Sequence, residues 1–274
     1  MTDLSSRTIW ITGASSGIGK ALAELASAAG ARIILSGRRV DALQSVANSL
    51  VTEHLVLPFE ATDFGQLGNI VDQAWAWQGR VDILINNAGV SQRSIALETQ
   101  PEVYQRMLDV DLLAPIWLTQ LQLGRMAAVG GGHIVAISSL AGRIGAPLRT
   151  AYCAAKHGLI GYMDALRCEV ETTHNIKVTN VLPGSVATDV SRNALTADGS
   201  ARNQSDAIID AGDDPMDCAR AILQAIEADQ PELIFAGGIE LTLTQLRHSQ
   251  PDVFFEKASE FGAQTIAALK AGTL

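Results

Sequence analysis

Cysteine is scarce in this 274-residue chain and shows no pairing pattern. The three cysteines, Cys153, Cys168 and Cys218, are odd in number and form no CxxC spacing. A disulfide framework needs paired cysteines and an oxidising compartment. The sequence therefore argues against a disulfide-stapled secreted protein, and we expect a cytoplasmic location.

Basic residues are also in short supply. The chain has 20 Lys and Arg against 29 Asp and Glu, a net charge of −9. Phosphate attraction supplies most nucleic-acid affinity, and helices that bind membrane surfaces need a basic face. No apolar run reaches about 18 residues, and Met1–Arg7 carries no secretion-signal pattern. We therefore expect neither nucleic acid nor a membrane as a partner.

A linker rich in Pro, Gly or Ser is missing as well, so we expect a single domain over residues 1–274. Short apolar runs alternate along the chain with segments of helical periodicity. Strands are predicted over 8–12, 32–36, 54–57, 81–85, 133–138, 177–182 and 232–235, and helices over 17–29, 40–50, 63–77, 101–126, 152–172 and 214–228. This order predicts an α/β fold with a doubly wound, parallel, seven-stranded sheet and helices on both faces.

Two segments fall outside this alternation. Residues 188–213 are rich in small and polar side chains and are too long for an ordinary connection. We expect them to form a mobile substrate loop. Residues 236–274 are expected to form a C-terminal extension that is helical in parts.

A glycine-rich turn, TGASSGIG at residues 12–19, lies between the first predicted strand and helix. Its glycines let the backbone approach a pyrophosphate, whose charge the helix N-terminus favours. The spacing is GxxxGxG rather than GxGxxG, and an ordinary strand-turn-helix can also use three glycines. Taken alone, the turn is therefore weak evidence for a dinucleotide site.

The end of the second predicted strand, Ser36-Gly37-Arg38-Arg39, is where such a site reads the adenosine ribose. An acidic residue there accepts from the 2′-hydroxyl of NAD, whereas a guanidinium suits the 2′-phosphate of NADP. Arg38 therefore favours NADP over NAD. The alternative is that Arg38 and Arg39 form an ordinary solvated turn.

Two further motifs carry polar chemistry. NNAG at 86–89 follows a strand, where amides tie loops together and glycine permits close approach. In YCAAK at 152–156, Tyr152 and Lys156 share one helix face, and an ammonium beside a phenol favours its ionised form. Such a phenol can give a proton to a developing alcohol or take one from it. Ser139 ends a strand, where its hydroxyl can polarise a carbonyl.

In this order and context, the motifs resemble those of the short-chain dehydrogenase/reductase family. The resemblance runs from Thr8 to Phe235 and also includes PGSVAT at 183–188. It implies a Rossmann-type fold and an oxidoreductase that transfers a hydride between NADP(H) and a small-molecule alcohol or carbonyl. The implied catalytic residues are Ser139, Tyr152 and Lys156. The implied cofactor-binding residues are Gly13, Ser15, Ser16, Gly17, Ile18, Gly19, Arg38, Ala61, Asn87, Ala88, Gly89, Tyr152, Lys156, Pro183, Gly184, Val186 and Thr188.

The chain departs from the family's pattern at two places. Asp111 stands where the family usually has Asn, and Glu60-Ala61 replaces an Asp followed by an aliphatic residue beside the adenine. An Asp111 carboxylate close to Lys156 would stabilise the ammonium and weaken its pull on Tyr152. We expect activity to survive with a shifted pH optimum, and the adenine contact to be looser.

Substrate and assembly stay open at this stage. The candidate substrate pocket comprises residues 90–95, 140–148, Tyr152 and 185–213. Apolar side chains within 140–148 and Val186 favour an apolar substrate, whereas Arg143 and Arg149 favour an anion. The apolar surface of the helix that starts near Tyr152, with the family's habit of pairing through it, indicates a homodimer or homotetramer. No histidine has metal-ligand spacing. Two alternatives remain: a catalytically silent NAD(P)-sensing protein, and an isomerase or dehydratase on the same scaffold.

Overall fold

The computed structural model describes residues 3–272; of the segment Met1–Arg7, Met1 and Thr2 lie outside it. The strands are β1 (Thr8–Thr12), β2 (Arg32–Ser36), β3 (His54–Val56), β4 (Ile83–Asn86), β5 (Gly132–Ile137), β6 (Ile176–Pro183) and β7 (Glu232–Phe235). The helices are α1 (Gly17–Ala28), α2 (Val40–Ala47), α3 (Leu67–Gln78), α4 (Pro101–Leu108), α5 (Ala114–Ala128), α6 (Thr150–His174), α7 (Ala207–Asp210), α8 (Pro215–Glu227), α9 (Gly238–Ser249) and α10 (Pro251–Lys270).

All seven strands pair in parallel in one sheet, in the order β3-β2-β1-β4-β5-β6-β7. The order reverses between β1 and β4, and the chain crosses from one face of the sheet to the other at that point. The predicted doubly wound α/β fold is therefore confirmed. Such a reversal leaves a crevice at the carboxyl ends of the strands, which is where ligands bind in open α/β sheets.

Two apolar layers sandwich the sheet, as a parallel sheet covered on both faces requires. Successive side chains of a strand point to opposite faces. In β1, Ile9 and Ile11 therefore pack with Leu22 of α1 on one face, while Trp10 packs with Leu159 of α6 on the other. The packing of these two layers sets the positions of the strand ends, where the crevice lies.

Some predicted boundaries were wrong for local reasons. The helix expected from Asp63 begins at Leu67, because residues before it form turns in which the Asp63 carbonyl accepts from Gln66 N. The single helix expected over 101–126 is interrupted by a π-helix at Asp109–Leu113, which separates α4 from α5. A π-helical turn inside a helix is often found at a functional site.

The segment 188–213 carries the short helix α7 and bridges to the rest of the fold through Gln92–Leu195 and Val186–Asp213. Its role as a substrate loop stays a prediction. The C-terminal extension forms α9 and α10, and Glu240 of α9 accepts from Ser185 N at 3.1 Å and Ser185 Oγ at 2.7 Å. These bonds hold the extension against the end of β6. Between residues 3 and 272, no helix is long and apolar enough to span a membrane.

The imidazole of His133 in β5 is buried in the sheet. Its Nε2 lies 2.8 Å from Thr179 Oγ1, which itself donates to the Gln230 carbonyl, so Nε2 acts as the donor. Nδ1 has no partner among the described residues. Burial therefore lowers the pKa of His133 to about 4. The neutral imidazole is the form that the fold accepts.

We expect the stability of the protein to fall as the pH drops from about 6.5 towards 4. In this window the unfolded His133 gains a proton while the folded one stays neutral, at a cost of up to about 3 kcal/mol. His133→Gln keeps an N–H donor for Thr179 and removes the titration. Denaturant unfolding between pH 4.5 and 7.5 should show a shallower pH dependence in this variant. The exposed His248→Gln is the control, and equal slopes in wild type and His133→Gln would refute the assignment.

Candidate active site

A cleft of about 570 Å³ opens at the carboxyl ends of β1, β4, β5 and β6. Every site residue predicted from the sequence lines this cleft, except Gly19. Gly19 lies behind it, where an added Cβ would come 2.4 Å from both Asn87 Nδ2 and the Gly13 carbonyl. Gly19 thus lets α1 pack closely against the loop after β4.

The glycine-rich turn is shaped for a phosphate group. Gly13 and Gly17 have φ angles of +66° and +54°, which favour glycine. A Cβ on Gly13 would lie 2.8 Å from Ala88 Cα, so glycine is needed there for the two loops to meet. The N-cap residue of α1, Ser16, makes no side-chain hydrogen bond to the first turn. The N–H groups at the start of α1 thus stay available for an anion, and the site fits a dinucleotide.

Asn87 ties the loop after β4 to the turn after β1. Its Nδ2 donates to the Thr12 carbonyl at 2.9 Å and to the Gly13 carbonyl at 3.2 Å. In return, Thr12 Oγ1 accepts from the backbone N–H groups of Asn87 and Ala88, both at 3.0 Å. The expected role of the amides in joining loops is what the geometry shows. The floor of the cleft is therefore held rigid by four hydrogen bonds.

Two arginines lie where the adenosine end of a dinucleotide would bind. Arg39 Nη2 donates to the hydroxyls of Ser15 and Ser16, both at 3.0 Å, which brings its charge to the glycine-rich turn. Arg38 is 62% exposed and lies 3.6 Å from Glu60. Glu60 also pairs with Arg106 at 3.5 Å, so its carboxylate is shared between two arginines that line the cleft. Sequence reasoning selected Arg38 and missed Arg39, although the adjacent guanidinium was a visible signal.

The hydroxyl of Ser139 lies at the end of β5. It accepts from Ala141 N at 3.1 Å and donates weakly to the Pro183 carbonyl at 3.4 Å, so the two loops orient it. The 3₁₀ turn that follows needs Gly142, because a Cβ there would come within 3 Å of Ser138 Oγ and the Lys156 carbonyl. Ser139 therefore stands at a fixed position in the cleft, with a hydroxyl able to turn to another acceptor.

Tyr152 and Lys156 lie on one face of the first turns of α6. Lys156 is buried, and its Nζ donates to the Ile137 carbonyl at 3.1 Å and lies 5.7 Å from the centre of the Tyr152 ring. The helix starts at Thr150, where Ala151 N donates to Gln92 Oε1 at 2.8 Å. Tyr152 thus projects into the cleft from the helix start, with the ammonium beneath its ring.

Asp111 is completely buried in the π-helix and turns its carboxylate towards Lys156. One oxygen accepts from Val90 N at 2.8 Å and the other lies 3.5 Å from Lys156 Nζ. Burial raises the pKa of Asp111, against the effect of the neighbouring ammonium. Burial would lower the pKa of Lys156, but the Asp111 carboxylate outweighs it and the pKa is raised. The two side chains form a buried ion pair next to the phenol.

At its substrate end, the cleft is lined by only part of the pocket expected from the sequence. None of the residues 140–148, all of them described, lines the cleft. Leu140 packs instead with Ile160 and Leu182, and Arg143 pairs with Glu232 and Asp164 on the outer surface. The cleft is bounded there by Ser91, Arg93, Arg149 and by residues of the segment 188–213. Arg93 lies within the range 90–95 that the sequence placed in the pocket, but no local motif singled it out.

Comparisons with known proteins agree with this geometry. The family model "short chain dehydrogenase" matches residues 7–199. The chain is 38% identical over 260 residues to "Dehydrogenase/reductase SDR family protein 7-like" of Anopheles gambiae, covering 92% of this chain and 82% of that protein. It is 36% identical over 254 residues to "Dehydrogenase/reductase SDR family member 7B" of Bos taurus, covering 89% and 78%.

A solved short-chain dehydrogenase/reductase from Burkholderia phymatum, in complex with NAD, has the same fold. Its TM-score is 0.82 at 22% identity, over 92% of this chain and 96% of that one. A putative short-chain alcohol dehydrogenase from Sinorhizobium meliloti matches with a TM-score of 0.66 at 30% identity, over 69% and 76%. The fold and the cleft define a dinucleotide-binding oxidoreductase. The chain belongs to the short-chain dehydrogenase/reductase family, whose members bind NAD(P) and act on small molecules.

We expect Asp111→Asn to keep turnover but to move its pH dependence. The substitution removes a negative charge 3.5 Å from Lys156 Nζ, so the ammonium acts more strongly on the phenol. The pH of half-maximal turnover in the alcohol-oxidising direction should fall by about one unit. A pH–rate profile of kcat/KM between pH 6 and 10 measures this shift.

Asp109→Asn is the matched control, because Asp109 belongs to the same π-helix but its carboxylate accepts from the exposed Gln105 amide. Its profile should coincide with that of the wild type. An Asp111→Asn profile that also coincides with the wild type would show that the carboxylate does not act on the proton transfer.

Proposed function

We propose that this chain is an NADP(H)-dependent oxidoreductase that interconverts an alcohol and a carbonyl, with Tyr152 as the general acid/base. The observation that supports this activity is the meeting of three groups in one cleft: the Ser139 hydroxyl, the Tyr152 phenol and the buried Lys156 ammonium. A catalytically silent nucleotide sensor would need none of the three. The activity proposed here is also consistent with the family to which the chain belongs.

The proton in this reaction is handled by the side chains around Tyr152. NADP(H), when bound, supplies or accepts the hydride. The Tyr152 phenol gives its proton to the carbonyl oxygen as the alcohol forms, and takes it back in the reverse direction. The Ser139 hydroxyl donates to the same oxygen. The ammonium of Lys156 lies beneath the phenol ring and stabilises the negative charge that develops on the oxygen as the proton leaves.

The preference for NADP rests on the end of β2. Arg39 places its guanidinium beside the glycine-rich turn, Arg38 lines the same cleft, and a guanidinium pairs well with a phosphate. No carboxylate follows β2 directly to accept from a ribose 2′-hydroxyl, since the next residue is Gly37. The B. phymatum relative was solved with NAD, so the cofactor preference of this chain is a proposal of its own.

The assembly and its location belong to the same proposal. α5 leaves Trp117 and Leu121 exposed at 51% and 39%, beside the outer face of α6. Burying these side chains against a second copy would remove apolar area from water. We infer that the chain forms a homodimer or homotetramer and is located in the cytoplasm. Light scattering would measure the mass of this assembly.

Tyr152→Phe should abolish turnover while leaving the cofactor bound. Removal of the phenol hydroxyl takes away the proton donor, and general acid–base catalysis contributes roughly 10²–10⁴-fold. Steady-state oxidation of NADPH and NADH with aldehydes, ketones and diketones measures the loss. Fluorescence titration measures the Kd for NADPH, which should stay within about threefold of the wild type because no phosphate contact changes.

Tyr162→Phe is the control, because Tyr162 lies on the same helix with its hydroxyl bonded to Gln120 and does not line the cleft. Turnover that survives in Tyr152→Phe would reject the assignment of the acid/base. Tight cofactor binding without turnover in the wild type would favour the sensor. Product analysis that shows no net redox change would favour an isomerase or dehydratase.

Arg38→Gln should weaken NADPH binding selectively. Loss of one charge-assisted pairing with the 2′-phosphate should raise the Kd for NADPH by about tenfold or more, and leave the Kd for NADH within about twofold. Titration of both cofactors measures the ratio. Arg220→Gln, which removes a surface arginine paired with Asp217, is the matched control. Equal changes for NADPH and NADH in Arg38→Gln would contradict a role in reading the phosphate.

A further inference from the structure

Positive charge is concentrated at the substrate end of the cleft. Arg93 and Arg149 both pair with a single carboxylate, that of Asp206, and Arg202 lies close enough to Arg93 for their charges to repel. Arg93 and Arg149 line the same cleft as Tyr152. In a chain of net charge −9, two guanidinium groups that share one carboxylate, with a third arginine nearby, are a local reversal of sign.

Arg93 is the fixed centre of this cluster. Its side chain is 6% exposed, and two of its nitrogens contact Asp206 Oδ2 at 3.1 Å. Its Nη1 donates to Ser91 Oγ at 3.1 Å and to the Gln92 carbonyl at 2.8 Å. Burial, and then repulsion from Arg149, lowers the pKa of Arg93 to about 10. The guanidinium therefore remains charged at neutral pH.

Asp206 is already committed to other groups. Its Oδ2 serves Arg93, and its Oδ1 accepts from Ile208 N at 3.1 Å as the N-cap of α7. Burial would raise the pKa of Asp206, but the two arginines lower it below its usual range. One carboxylate thus serves two guanidinium groups, so the three side chains together keep a net positive charge.

Arg149 carries that charge. It lies 3.7 Å from Asp206, beyond hydrogen-bond distance, and donates no hydrogen bond to any residue that the structure describes. Its side chain is 24% exposed and it occupies the N-cap position of α6, three residues before Tyr152. A partly buried guanidinium with free donors, next to the acid/base, is suited to an anion.

The other acidic side chains near this end of the cleft do not pair with Arg149. Asp189 lines the cleft but is 62% exposed and pairs with Arg192. Asp198 accepts from Thr196 and Ser200, and Asp210 from Ser205. Among the described residues, Arg149 therefore pairs with the Asp206 carboxylate alone, and Arg93 already holds that carboxylate by closer contacts.

We propose that Arg149, backed by Arg93, forms an anion subsite that selects carbonyl substrates bearing a carboxylate or phosphate close to the reacting carbon. This inference rests on the acid/base role of Tyr152. The guanidinium holds the anionic group by charge-assisted hydrogen bonds, which places the carbonyl oxygen towards Tyr152 and Ser139. Arg149 is then a specificity-determining residue, and the proton transfer stays with Tyr152.

Matched substrate pairs test this assignment. One pair is a 2-oxo carboxylate and its methyl ester; the other is a hydroxyketone and its phosphate ester. Wild type should favour the anionic member of at least one pair in kcat/KM, and the pair that responds distinguishes carboxylate from phosphate. Arg149→Gln should lower kcat/KM for that anionic member by about 10- to 100-fold and leave the neutral member within about twofold.

Arg143→Gln is the matched control, because Arg143 lies six residues away but pairs with Glu232 and Asp164 outside the cleft. It should behave as wild type on both pairs. Equal kcat/KM for charged and neutral members in the wild type, or equal losses on both members in Arg149→Gln, would overturn the anion subsite.

A binding measurement separates this inference from the proposed reaction. Tyr152→Phe saturated with NADP⁺ is titrated calorimetrically with inorganic phosphate and with oxalate, so that the phosphate-binding turn is already filled. Binding that disappears in the Tyr152→Phe/Arg149→Gln double variant supports the subsite even if no substrate turns over. Absence of binding, or binding that persists in the double variant, rejects it, even if the wild type reduces neutral carbonyls.

Discussion

A buried ammonium is the constraint around which the cleft is arranged. The charge of Lys156 lies out of water and is stable there only if it is paired and hydrogen-bonded. The Ile137 carbonyl at the end of β5 and the Asp111 carboxylate supply those partners. The π-helix brings Asp111 into place, and Gly89 of the loop after β4 lies against both charged side chains. The end of β5, the π-helix and the loop after β4 thus meet at the Lys156 ammonium.

The charges that line the cleft are neutralised in its middle but not at its ends. In the middle, Lys156 and Asp111 balance each other beside the phenol. At the end of β2, Arg39 is held by the Ser15 and Ser16 hydroxyls, which leave its charge uncancelled. A cleft with positive charge at its ends and a balanced centre suits a long anionic cofactor together with a proton transfer at a single phenol.

Much of the fold could be predicted because its signals are local. β1, β2 and β7 have the predicted bounds, since short apolar runs between turns identify buried parallel strands. The break within 101–126 could not be foreseen, because residues 109–113 continue the helical pattern of the sequence. Their π-helical turn brings Asp111 to Val90 N and Lys156, which are distant in the chain. The expectation that residues 140–148 line the substrate pocket was wrong, since Leu140 packs in the core instead.

The sequence by itself determined the fold class and the family, and it predicted the members of the cofactor and proton-transfer motifs. Those motifs lie within single turns or on one helix face, where spacing alone sets the geometry. Tertiary structure alone decided the partners of the charged groups. Arg93 and Asp206 are 113 residues apart and meet only because the segment 188–213 folds over the sheet end. Asp111 reaches Lys156 only through the packing of two separate helices. Pairings of this kind depend on burial in three dimensions, which no local pattern encodes.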